Sequence, residues 1–102
     1  MYYNKSNKAK EEMKMIKTIE LLLEEKGMLD AILPVRLNGQ THLIEVEFLI
    51  ENVAELSDDR INLHANRLMK ADFNNDKNKL IDALQMMARE VLRKKPELLT
   101  NA

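Results

Sequence analysis

At 102 residues and 11.9 kDa, with 45% hydrophobic and 32% charged side chains, the chain fits one folded domain rather than two domains or a disordered tail. It holds no cysteine, which excludes a disulfide scaffold, a zinc ribbon and thiol catalysis. Its apolar runs, such as Leu21–Leu23 and Ala31–Leu33, fall far short of the ~20 residues that span a bilayer.

The net charge of −1 conceals an uneven distribution. Residues 1–27 carry six lysines against five glutamates, residues 28–59 carry one arginine against seven acidic residues, and residues 60–102 carry nine basic against five acidic residues. The first reading of this acidic middle and basic end is mixed solvated charge on the helices of an ordinary domain, and the second is a molecule with two unlike faces. The opening Met1-Tyr-Tyr-Asn-Lys-Ser has lysine but no hydrophobic stretch behind it, so no secretory signal is read and the cytoplasm is the expected location. Residues 1–6 and 97–102 are expected to be tails around one domain spanning 7–96.

Residues 7–26 place Ala9, Met13, Ile16, Ile19, Leu22 and Leu23 three and four apart, with Gly27 as a C-cap, which predicts a helix. The run Leu21-Leu-Leu widens the apolar stripe and predicts cover on more than one side. Two apolar segments, Met28–Leu37 and Gln40–Ile50, then flank Asn38-Gly39, the residue pair that suits a type I′ hairpin turn. A two-residue turn sets the register: Leu37 faces Gln40, Val35 faces His42, Leu33 faces Ile44, Ala31 faces Val46 and Leu29 faces Phe48 on an apolar face. On the opposite face Arg36 meets Thr41, Pro34 meets Leu43, Ile32 meets Glu45, Asp30 meets Glu47 and Met28 meets Leu49. Pro34 cannot donate to a ladder, so its strand is expected either at an edge or with that position facing outward.

Residues 51–59 read as a polar connection. In Arg60-Ile-Asn-Leu-His-Ala-Asn66 the alternation of Ile61, Leu63 and Ala65 predicts a third strand, while Ser57-Asp-Asp as an N-cap and Ile61, Ala65, Leu68 and Met69 as a stripe fit a helix. A last helix runs from Asn74-Asn-Asp76 to about Lys95, with Leu80, Ile81, Leu84, Met87, Ala88, Val91 and Leu92 apolar and Pro96 beyond its end. The expected architecture is an α+β fold in the order α-β-β-β-α, with an antiparallel three-stranded sheet and two helices on one face. The alternative is a helix, a β-hairpin and two helices.

Few constellations carry chemistry. The sole serines are Ser6 and Ser57, read as a tail residue and an N-cap, and both glycines are explained by a cap and a turn. Neither a serine–histidine pair nor a phosphate loop is indicated. The opposed Asp30 and Glu47, with Glu45 nearby and His64 on a neighbouring strand, are ligand types for a cation. No lysine lies between Lys26 and Lys70 to assist a metal-dependent hydrolysis, so a metal enzyme ranks third among the readings. No metal or cofactor is expected.

The α-β-β-β-α order is also that of double-stranded RNA-binding domains. Asn38-Gly39 is too short to reach a minor groove and the second strand is acidic, so that family is not indicated. Nucleic-acid binding through Lys77, Lys79, Arg89, Arg93, Lys94 and Lys95 on the last helix stands as the second reading. The first is a protein-binding function without catalysis. Ile32, Pro34, Leu43 and Leu49, mixed with Glu45 and Glu47, project from the hairpin face away from the core, and such a patch is seldom left bare. Its expected partner is another protein, in the first place a second copy of the chain. No membrane partner is expected.

Overall fold

The computed structural model describes residues 5–56 and 58–99, and each element in it has a local cause. Helix α1 runs Lys5–Glu25. It ends in a Schellman motif: Gly27, at φ +68°, donates its N–H to Glu24 O, and Met28 donates to Leu23 O at 2.8 Å. Ile16, Ile19 and Leu23 form its buried stripe, whereas Leu21 is 59% exposed and is not covered as its run of three leucines predicted. The expected tail positions 1–4 and 100–102 lie outside the described residues. Lys5 and Ser6 belong to α1, and Pro96–Leu99 form a 3₁₀ turn.

Strands β1 (Ile32–Leu37) and β2 (Gln40–Glu45) form the hairpin in the predicted register, from Leu37 opposite Gln40 to Ile32 opposite Glu45. Asn38 at φ 53° and Gly39 at φ 80° make the turn, as a type I′ geometry requires. Beyond Glu45 the expected strand is replaced by helix α2 (Val46–Leu56). Val46, Leu49, Ile50 and Val53 follow helical spacing and are all buried. The first N–H groups of a helix lack partners within it, and here Val46 N–H donates to Ala31 O and Glu47 N–H to Leu29 O. The predicted pairs Ala31–Val46, Asp30–Glu47, Leu29–Phe48 and Met28–Leu49 are therefore not formed as ladder pairs.

The third strand is also corrected. Asp59–Phe73 is helix α3, and the sheet has two strands in the order β1-β2. Asp58 is the N-cap, its carboxylate accepting from Arg60 N–H at 2.7 Å and Ile61 N–H at 3.2 Å. Helical phase buries Ile61, His64, Ala65, Leu68 and Ala71, and it turns Leu63, an inward residue of the predicted strand, out to 58% exposure. The expected N-cap Ser57 lies outside the described residues. Asn75 at φ 55° closes α3 with a second Schellman pair, Asn75 N–H to Asp72 O and Asp76 N–H to Ala71 O. Helix α4 (Lys77–Lys94) starts at once, with Asp76 accepting from Lys79 N–H.

The α+β class thus holds, as one antiparallel hairpin and four α-helices among the described residues. Its core joins α1, the inward residues Leu33, Val35 and Leu37 of β1, and the buried stripes of α2, α3 and α4. Helices α3 and α4 pack most extensively on each other, and α4 also lies against β1. No described helix is long and apolar enough to cross a membrane.

Candidate functional site

Strand alternation decides which side chains leave the core. Leu33, Val35 and Leu37 of β1 are buried, so Ile32, Pro34 and Arg36 face outward, joined on β2 by Thr41, Leu43 and Glu45. Leu43 is 73% exposed and Ile32 56%. Pro34 stands opposite Leu43 and Ile32 opposite Glu45, so three apolar side chains and one carboxylate share a strip two strands wide.

Four of the six residues predicted for this surface, Ile32, Pro34, Leu43 and Glu45, are brought together on it. The other two are not. Glu47 is exposed in the first turn of α2, and Leu49, at 1% exposure, belongs to the core. Both departures have one cause: helical phase after Glu45 replaces the two-residue alternation that would have aimed Leu49 outward.

Helix α4 completes the surface from the far side of β1. Gln85 Nε2 donates to Pro34 O at 2.9 Å and Arg89 Nε donates to Arg36 O at 3.1 Å. These two carbonyls point away from β2, which is why Pro34, with no N–H to offer, fits there without loss. Arg89 also reaches Met86 Sδ at 3.7 Å. Pro34, Arg36, Thr41, Asp82, Met86 and Arg89 frame a groove of about 360 Å³ between the hairpin's outer face and α4. Sequence reasoning missed this partnership, which links residues more than fifty apart. Its one signal was the proline.

The basic residues of α4 do not form one unoccupied patch. Arg93 pairs with Glu90 at 3.0 Å, Lys94 with Asp58, and Lys95 with Glu55 at 2.6 Å and Asn52 at 3.2 Å. Arg89 is turned to the hairpin carbonyl. Lys77 and Lys79 are exposed at the other end of the helix, with Lys79 4.0 Å from Asp76. The Lys94 ammonium beside Asp58, reinforced by the Ile61 and Arg60 N–H groups, holds the Asp58 carboxyl below the ordinary carboxylate range against the opposing effect of burial.

The acidic cluster read from the sequence is not assembled. Asp30, Glu45 and Glu47 are exposed on three different segments, His64 is buried on α3, and no three histidine, aspartate or glutamate side chains come together to hold a metal among the described residues. Comparison of the chain with family models, curated proteins and solved structures finds no match in any of the three.

Proposed function

We propose that the chain is a non-enzymatic protein-binding module acting in the cytoplasm, that the outer face of its hairpin is the contact surface, and that a second copy of the chain is its partner. The observation carrying this reading is the pair Leu43 and Ile32, 73% and 56% exposed, beside Pro34 on a two-stranded strip. Adjoining exposed apolar side chains of this size mark surfaces that are covered in use. Arg36 and Glu45 give the strip one charge of each sign, which supplies orientation.

Leu43→Lys tests the reading. The side chain is largely solvated, so folding stability should change by no more than about 0.5 kcal/mol. Light scattering on the unmodified chain should give twice the 11.9 kDa mass, and the variant should return to the single mass at the same concentration. A single mass for both, with unchanged circular dichroism, overturns self-association. The second reading, a nucleic-acid accessory role of α4, predicts instead an affinity that falls steeply with salt.

A further inference from the structure

The two long edges of the hairpin are treated differently. Leu37 and Gln40, flanking the two-residue turn, form a hydrogen-bonded pair, and bonded and non-bonded pairs alternate from there. The N–H and C=O groups of Ile32, Pro34 and Arg36 therefore point away from β2. Those of Thr41, Leu43 and Glu45 point away from β1. The first edge is obstructed: Pro34 lacks a donor, and Gln85 and Arg89 of α4 occupy the Pro34 and Arg36 carbonyls. Among the described residues the second edge is open: β2 has no second strand beside it and packs mainly on β1 and on the α2 that continues its chain.

β2 carries no lysine, proline or bulge, the usual guards of an exposed edge. Its cover is also incomplete. The inward residues of β1 are 1% to 8% exposed, yet His42 and Ile44, their neighbours on the same face, are only half-buried. Leu43 thus stands exposed on the outer face of the strand, and Ile44 on the inner face packs against the core but is only partly covered.

The strand is also complementary to itself. In an antiparallel pairing of two β2 strands with Leu43 opposite Leu43, Thr41 falls opposite Glu45 and the open donors and acceptors meet in bonded pairs. Ile44 of each copy then lies beside His42 of the other. Arg36 comes into one row with the other copy's Glu45, across the small Thr41, so each copy offers a cation and an anion at opposite ends, as a two-fold axis requires. We propose that β2 pairs in this way with β2 of a second copy, joining two hairpins into one four-stranded sheet centred on Leu43. This rests on the reading of the hairpin as a self-binding surface and adds its mode: strand addition at the edge rather than face-to-face stacking.

The absence of cysteine makes the register measurable. Bonded antiparallel partners lie about 5.5 Å apart at Cα, within disulfide range. Under mild oxidation in dilute solution, Leu43→Cys should cross-link to itself. Thr41→Cys and Glu45→Cys should cross-link efficiently only when mixed with each other. Because Leu43→Cys removes an interface side chain, amide exchange of the unmodified protein provides a second readout. The Thr41, Leu43 and Glu45 amides should exchange at least about tenfold more slowly in concentrated than in dilute solution. A chain of single mass overturns both this proposal and the self-binding reading. A stable dimer in which those three amides exchange fast at every concentration, or in which Thr41→Cys links to itself and Leu43→Cys does not, overturns the edge pairing alone.

Discussion

His64 is the residue whose surroundings least suit its charged form. It is 8% exposed on α3, and its Nδ1 is buried without a hydrogen-bond partner. Burial, followed by the nearby Arg67 charge, lowers its pKa below the ordinary histidine value, with Glu90 and Asp82 opposing. The unfolded chain therefore binds the proton more readily than the folded one, and stability falls as pH drops below the ordinary value toward the folded one. Urea midpoints should decrease between about pH 7.5 and about pH 5.5. His64→Leu, which removes both the titration and the orphaned nitrogen, should flatten that slope; an equal slope in the variant would assign the effect to other groups. Asp58 acts lower on the scale. Its pKa is depressed, so its contribution is complete above the ordinary carboxylate value and disappears as pH falls through the lowered one.

Among elements, what could be read in the sequence follows how local the determining chemistry is. Asn38-Gly39 settles a turn and a register within four residues, and the observed pairing agrees along all of β1. Gly27 and Asp76 mark helix ends for the same reason. The segments after Glu45 and Arg60 resisted because their apolar residues satisfy two periods: Val46, Phe48 and Ile50 alternate like a strand, while Val46, Leu49, Ile50 and Val53 fit a helix. Around residue 61 the deciding residue is His64, a polar side chain in the buried stripe where a strand would have put Leu63. Ile32, Pro34, Leu43 and Glu45 of the candidate surface were legible from the hairpin register. Gln85 and Arg89 were not, since only tertiary packing brings them to β1. The helical phase of α3 predicts a sharp contrast. Ile61→Ala should cost about 2–5 kcal/mol and Leu63→Ala less than about 1 kcal/mol, read from urea unfolding. The reverse order would restore the strand.

For the molecule as a whole, folding brings the acidic middle of the chain against its basic end. Glu55 and Asp58 meet Lys95 and Lys94, so opposite charges that are far apart in sequence neutralise each other across the α2–α3 junction and the end of α4. Exposed pairs contribute little singly. Reversing both lysines, Lys94→Glu with Lys95→Glu, sets like charges together and should lower the melting temperature by roughly 5 °C, about 1 kcal/mol for a domain of this size. An unchanged melting temperature would mean that these lysines are available to an anionic partner.

The unequal edges of the hairpin also govern how far any strand addition can proceed. A strip open on both sides is bifunctional in the sense of polymer chemistry, and each added unit exposes a new growing end, the route to fibrils. Here Pro34, Gln85 and Arg89 obstruct one side, so in the proposed pairing each molecule would act as a monofunctional unit. If β2 pairs as proposed, two such units would consume each other's open edge, and chain growth would terminate at the first step. Restoring a donor with Pro34→Val and removing the caps with Gln85→Ala and Arg89→Ala would convert the terminator into a monomer for growth.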